Sequence, residues 1–479
     1  MCSQVLLTYA MPSCHRIMLS VSTLLLFVAS CCAIEIDPSS KTSLANTAQR
    51  VGERMWEWYH GDLPGHIPGR FEGGNTHWWQ VGAMFGALID YRKYTGDTRY
   101  DESIIRGTVH QAGENWNLFP ANQSTAAGND DIVFWAFSVL SAAESNFPNP
   151  PPHQPQYIGL AKAVFHDMIN LWHTETCGGG LRWQRNILHE GFKYKNSISN
   201  GGFFQIAARL ARYTGDPFYA MWAEKIYDWS VKIGFVDEKN WWVYDGAPGD
   251  PDHCTNINKR LWSYNAAVYL GGAAFMYSYT RGSPIWERRV NGFVDSSLSV
   301  FFENGVIDEY TCWIATIPCN IDQVTFKGYL ARFLSYTAHL VPQTADRIYP
   351  ALATSAIAAG KACPEYCGFD WREGKYDGKR GVQEQLAALE VIQANMMKFQ
   401  PIDLIDDQTD NQSEKSSAGG IIHGGGSIAT ELTGGTSRDG RAPAIEIPGF
   451  RAVTKADQFG AGFSTCIFVA SVIGTLVSQ

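Results

Sequence analysis

Two stretches of this chain carry the same punctuation. Tyr91-Arg92-Lys93-Tyr94-Thr95-Gly96-Asp97-Thr98-Arg99-Tyr100 matches Leu210-Ala211-Arg212-Tyr213-Thr214-Gly215-Asp216-Pro217-Phe218-Tyr219, and a blurred copy runs from Tyr277 to Ser283. In each, an apolar run ends at a glycine suited to a left-handed C-cap, and Asp97 or Asp216 then stands where an N-cap opens the next helix. A repeated helix–turn–helix unit indicates an array of helical hairpins. About a dozen helical segments are expected over 42–400, among them 42–59, 76–91, 132–144 and 204–213, with another beginning at Thr325. Strand-like alternation is confined to short pieces such as Trp241-Trp242-Val243-Tyr244. A dozen paired helices predict an all-α, (α/α)6 toroid with a cleft at one rim. An open solenoid is the alternative, and the loop-borne aromatics, glycine clusters and cysteines favour the closed form.

The ends of the chain read differently. His15-Arg16, the apolar run 17–29 and the small residues Ser30-Cys31-Cys32-Ala33 have the form of a secretory signal over 1–33, with Met18 as a second candidate initiator. The catalytic domain is expected over 34–400. Past Pro401 the segment 401–456 is polar, rich in Gly, Ser and Thr, and lacks apolar periodicity, as a disordered stalk would be. The stretch 457–479 is a charge-free apolar tail after Asp457, the pattern of a GPI-attachment signal. This organisation predicts a protein at the outer face of the plasma membrane or in a cell wall. Eleven cysteines are present. Setting aside those at the two ends leaves Cys177, Cys254, Cys312, Cys319, Cys363 and Cys367, an even number in a secreted chain. Proximity pairs Cys312 with Cys319 and Cys363 with Cys367, leaving Cys177 for Cys254. A zinc site at Cys363 and Cys367 lacks a matching second half. Asn122-Gln123-Ser124 and Asn411-Gln412-Ser413 are glycosylation acceptors.

The chemistry centres on Gly128-Asn129-Asp130-Asp131, placed before a run free of Gly and Pro. Asn129 or Asp130 is the expected N-cap. Successive helix positions diverge by about 100°, so two adjacent acids share one pocket yet point apart. A retaining glycosidase needs two carboxyls roughly 5 Å apart astride the scissile bond. The plainer reading of such a pair is a helix cap that complements the dipole. A carboxylate held ionised by the helix mouth suits a nucleophile, Asp130; its charge raises the neighbouring carboxyl, which suits a proton donor, Asp131. Sixteen Trp and twenty-one Tyr fit a site that stacks on sugar rings. Net charge is −9 with no basic cluster, which argues against nucleic acid as a partner. No paired His spacing implies a catalytic metal, no phosphate-loop or dinucleotide fingerprint occurs, and no nucleophile elbow supports a Ser-His-Asp hydrolase. No cofactor is expected.

Gly128-Asn129-Asp130-Asp131 with Phe134-Trp135 and Ala142-Ala143-Glu144 resembles the signature of glycoside hydrolase family 76, the endo-α-1,6-mannanases. His77-Trp78-Trp79-Gln80, Gly178-Gly179-Gly180 with Trp183, Asn200-Gly201-Gly202 and Thr325-Phe326-Lys327-Gly328 follow in the family's order, so the resemblance covers roughly residues 36–398. With the signal and tail, the match is to the fungal cell-wall branch. It implies an (α/α)6 barrel, a retaining mechanism with Asp130 as nucleophile and Asp131 as acid/base, action on the α-1,6-mannose core of GPI glycans, and transfer to a wall β-glucan acceptor. The candidate sugar contacts are Trp78, Asn129, Trp183, Asn200, Phe203 and Lys327. The reading from a different class is a wall-anchored protein that binds mannan without turning it over; the intact Asp pair argues against it.

Overall fold

The computed structural model describes residues 33–401, except 74 and 315–317. The expected signal, stalk and tail, and Asn411, lie outside the described residues. The described helices of ten residues or more are α1 (Lys41–Trp56), α2 (Trp78–Thr95), α3 (Asp101–His110), α4 (Asn129–Glu144), α5 (Tyr157–Asn170), α6 (Ser197–Thr214), α7 (Pro217–Lys232), α8 (Ser263–Tyr279), α9 (Pro284–Val300), α11 (Phe326–Leu340), α12 (Ala345–Lys361) and α13 (Val382–Ala394); α10 (Thr311–Ile314) is a single turn. Helices α2, α4, α6, α8, α11 and α13 touch in that order, and α13 returns to α2. That closed ring, with the alternate helices outside it, is the (α/α)6 toroid. No described helix is long and apolar enough to cross a membrane.

Burial explains which helices lie inside. On α2 every residue from Trp78 to Tyr91 is buried, and α8 is buried from Ala266 to Met276. A helix apolar on all sides needs neighbours on all sides. Outer helices such as α1 bury one stripe: Leu44, Ala48, Val51 and Met55. Close approach within the ring needs glycine. A Cβ at Gly202 would lie 2.3 Å from Val133 Cγ1, and one at Gly272 2.3 Å from Phe204 Cε1. Asn200-Gly201-Gly202 is therefore helix interior. Helix α6 begins at Ser197, capped by the Asn196 side chain, rather than at Phe204 as the glycines implied.

The repeated turn behaves as expected at its glycines: Gly96 and Gly215 have φ 79° and 72°, and their N–H groups reach Arg92 O and Ala211 O. Asp216 caps α7 through the Phe218 N–H. Asp97 does not cap α3, which starts four residues later. Its carboxylate instead accepts the Arg99 N–H (3.1 Å) and the Tyr91 hydroxyl (2.7 Å), closing the turn itself.

Between α5 and α8 lies more sheet than the alternation at Trp241 implied. Strand β3 (Trp242–Pro248) pairs antiparallel with β1 (Tyr194–Asn196), β2 (Val236–Asp237) and β4 (Asn258–Leu261). A two-stranded ribbon, β5 (Phe302–Glu303) and β6 (Val306–Ile307), follows α9. The disulfides are Cys177–Cys254, Cys312–Cys319 and Cys363–Cys367.

Two bases on α11, Lys327 and Arg332, are buried. Lys327 Nζ bonds Phe369 O and lies 3.7 Å over the Trp371 ring. Arg332 bonds Asp90 (2.8 Å), Gly86 O (2.9 Å) and Ser141 Oγ (3.1 Å), and the Tyr336 hydroxyl completes Asp90 at 2.6 Å. This knot ties α2, α4 and α11 together near their C-terminal ends. Truncating one partner of a buried pair strands the other charge, at a cost of about 3–5 kcal/mol. Arg332→Ala should lower unfolding stability by that amount in urea titration; a loss under about 1 kcal/mol would show that the knot holds nothing.

Candidate active site

Inner helices present their N-terminal ends to one cleft of about 480 Å³. Its lining includes Trp79 at the start of α2, Asp130 and Asp131 of α4, Asn196 before α6, Trp262 and Tyr264 around the start of α8, and Phe326 at the start of α11.

The aspartate pair occupies the second and third positions of α4. Gly128, not Asn129 or Asp130, is the N-cap residue, with extended backbone at φ −88° and ψ 178°. A Cβ there would meet Asp130 Oδ1 at 2.5 Å and Trp183 O at 3.0 Å, so a capping side chain has no room. The helix end is satisfied otherwise. Asp131 Oδ2 accepts the Gly128 N–H at 2.6 Å, and Asp130 Oδ1 accepts the Asp131 N–H at 3.1 Å. The segment 181–185 is laced to this end. Asn129 donates its N–H to Trp183 O (2.9 Å) and its side-chain amide to Arg182 O (2.7 Å). Arg185 donates back to Asn129 Oδ1 (2.8 Å) and pairs with Asp167 at 2.7 Å.

Both aspartates are half-buried. Burial first, then the charge of Asp131, raises Asp130 well above the usual carboxylate range, against the bond from the Asp131 N–H. Burial raises Asp131 to about 7 and Asp322 pushes the same way, while the Gly128 N–H bond and Arg185 pull it down. The expectation that the helix mouth alone keeps Asp130 ionised is therefore incomplete. A helix terminus contributes about 0.3–2 kcal/mol, whereas taking an ion out of water costs several kcal/mol. The two carboxyls titrate as one system that holds a proton near neutral pH.

The expected sugar contacts divide by position. Trp183 lines the cleft and is 37% exposed. Asn129 lies beneath the pair, binding the 181–185 segment. Asn200 is fully buried and bonds both backbone polar groups of Leu181, at 2.7 and 3.0 Å, so it positions the segment that carries Trp183. Trp78, Phe203 and Lys327 lie in the packed interior. Trp78 stacks on Trp135 at 5.3 Å and donates to Gln111 (3.0 Å), and Phe203 packs on Phe165 at 5.5 Å. The neighbouring residues, Trp79 and Phe326, face the cleft instead. Asn122 is exposed in the short turn Ala121–Gln123.

Sequence reasoning missed several lining groups. Asp322 accepts the Trp79 indole N–H (3.2 Å). Asp245 on β3 accepts the Tyr194 hydroxyl (2.8 Å) and the Asn258 amide (3.1 Å), with burial raising its carboxyl. Tyr264 stacks on Phe326 at 3.6 Å. The only signal for these was their residue type, because their partners come from distant elements.

Residues 43–404 match the family model described as Glycosyl hydrolase family 76. Mannan endo-1,6-alpha-mannosidase DCW1 of Saccharomyces cerevisiae is 38% identical, over 92% of this chain and 94% of its own. The crystal structure of Dfg5 from Chaetomium thermophilum in complex with glucosamine is 40% identical and superposes with a TM-score of 0.73, covering 76% of this chain and 92% of that one. An inactive variant of an alpha-1,6-mannanase from a Salegentibacter species, in complex with alpha-1,6-mannotriose, shares the fold at a TM-score of 0.59 and 20% identity, covering 74% and 99% of the two chains. A toroid whose inner helices deliver an aspartate pair to an aromatic cleft thus coincides with a family match across the whole domain: the chain belongs to glycosyl hydrolase family 76 and is a glycosidase.

Proposed function

We propose that this protein is a retaining endo-α-1,6-mannosidase that also transfers glycans, with Asp130 as nucleophile and Asp131 as acid/base. The observation that carries the reading is the pair itself: two adjacent carboxyls in an aromatic cleft, both raised by burial. The name of the yeast relative supports the linkage. The order of roles follows the family motif, since burial raises both carboxyls and the charge of Asp131 raises Asp130 further.

In the first step Asp131 gives its proton to the glycosidic oxygen as that bond breaks, and an Asp130 oxygen bonds the anomeric carbon. In the second step Asp131, now ionised, takes a proton from the acceptor, and the acceptor oxygen displaces Asp130. Water gives hydrolysis; a sugar hydroxyl gives transfer. Two inversions retain configuration. Trp183, Trp262 and Tyr264 offer flat faces for sugar rings along the cleft. Asp130, Asp131, Asp245 and Asp322 make the cleft acidic, which suits a glycan carrying an amino sugar. The glucosamine complex of the C. thermophilum relative has that chemistry. The donor in this reading is the α-1,6-mannose core of a GPI glycan, and the acceptor a wall β-glucan. The charge-free tail after Asp457 supports a GPI anchor at the outer face of the plasma membrane or in the cell wall.

Asp130→Asn keeps the shape but removes the nucleophile, so turnover of α-1,6-mannotetraose should fall by several orders of magnitude while binding persists. Asp131→Asn should keep partial first-step activity on an activated aryl α-mannoside. Azide should then rescue turnover and yield the α-mannosyl azide, because a small anion needs no general base. Rescue of the Asp130 variant instead would reverse the roles. Near wild-type turnover in both variants would leave a mannan-binding protein with an ordinary helix cap.

Wild-type activity should decline as pH rises through about 7, where Asp131 loses the proton it must donate. A kcat/KM flat from pH 6 to 9 would contradict Asp131 as the acid. Separately, a phosphatidylinositol-specific lipase should release the protein from membranes. Retention, with a tag after Gln479 surviving in the mature protein, would overturn the anchor.

A further inference from the structure

Asp322 is a cleft carboxylate that neither step above uses. It stands at the mouth of the turn Gln323–Thr325, just before α11. That turn is tied firmly: Asn320 Oδ1 accepts the N–H groups of Asp322 (3.0 Å) and Gln323 (3.1 Å), and Gln323 Oε1 accepts that of Asn320 (2.9 Å). Cys319, bonded to Cys312, precedes it. Asp322 Oδ1 takes the Trp79 N–H, and the Trp79 ring packs on Phe134 at 4.5 Å, four residues along α4 from Asp130. A rigid turn, an indole and one helical repeat thus fix the third carboxylate relative to the pair.

We propose that Asp322 is a positioning residue for proton transfer, a third carboxylate fixed in the cleft by Trp79 whose charge favours the acid form of the Asp130–Asp131 pair until the sugar arrives. The titratable and charged groups lining the cleft around the pair are His77 just before α2, Tyr194 on β1, Asp245 on β3, Arg260 on β4, Tyr264 on α8, and Asp322; Trp79 lines it beside His77. Arg185 approaches from the 181–185 segment. Of these, Asp322 pushes up both members of the pair, while Arg185 draws Asp131 down. Burial raises Asp322 itself, while His77 and the Trp79 bond pull toward its charged form. Removing a negative charge stabilises the ionised pair, so both members should lose their proton at lower pH.

This inference rests on the glycosidase reading of the pair, and the test separates the two. Asp322→Asn keeps an oxygen for the Trp79 N–H and removes the charge. Its kcat/KM profile on α-1,6-mannotetraose should move to lower pH on both limbs, by on the order of one unit. Activity should therefore fall above neutrality and be retained or raised below it. A merely structural role would change the height of the profile and not its position. Should Asp322→Asn fold poorly in a thermal melt, Trp79→Phe, which frees Asp322 but keeps a ring, should give a smaller displacement in the same direction. If Asp130→Asn and Asp131→Asn are inactive while the profiles of Asp322→Asn and Trp79→Phe overlay the wild type, this inference is overturned and the glycosidase reading stands. If the pair variants keep full activity, the reading fails first.

Discussion

Six inner helices pointing the same way are the constraint on which the rest of the molecule depends. Their N-terminal ends meet at the cleft; Gln383, at the start of α13, bonds Gln80 (3.1 Å) and Asn75 O (2.8 Å) at that same end. Their C-terminal ends meet at a small pocket lined by Asp90, Ser141, Arg212, Phe275 and His339 among others. Each helix carries about half a positive charge at its start and half a negative charge at its end. The side chains answer that field. Acids gather where the dipoles are positive, as Asp130, Asp131, Asp245 and Asp322. Three of the six carry bases in the last turn: Arg92 and Lys93 on α2, Arg212 on α6 and His339 on α11. The buried Arg332–Asp90 and Arg209–Glu144 pairs, both at 2.8 Å, lie toward the same end.

What the sequence made legible follows from how local each feature is. The toroid could be read because the turn at Gly96 and Gly215 is a local device, specified by a left-handed glycine and its neighbours. The aspartate pair could be read for the same reason, as two residues beside a helix start. Cys177–Cys254 joins residues 77 apart, yet it followed once the four other cysteines were paired locally. The sheet around β3 was mostly missed, since β1, β2 and β4 are two to four residues long and none has a period of its own.

The cleft wall was the least legible part, for a geometric reason. An inner helix is buried on every side, so no polar face marks which aromatic looks into the cleft. Adjacent positions lie about 100° apart, and that angle separates Trp78, stacked on Trp135, from Trp79 on the cleft. The same step separates Lys327 under Trp371 from Phe326 against Tyr264. Asn200 illustrates another limit. Asn200-Gly201-Gly202 looks like a loop because its glycines are turn formers in isolation. In the ring they are where α6 passes close to Val133 on α4 and Tyr269 on α8, and Asn200 supports the cleft wall at one remove, through Leu181.

The field of the helices also accounts for where the pair's proton comes from. Were the dipoles decisive, carboxyls at six converging N-termini would all be ionised and none could donate. Burial raises Asp130, Asp131, Asp245 and Asp322 together. Several kcal/mol of lost hydration per ion exceed the dipole contribution at each helix end, and crowding of like charge adds to burial for the pair. The helix ends and Arg185 are strong enough to keep part of the set charged, and too weak to charge all of it. A site built from convergent helix starts can therefore hold a carboxylate and a carboxylic acid side by side at neutral pH. Double-displacement chemistry at a glycosidic bond requires that combination.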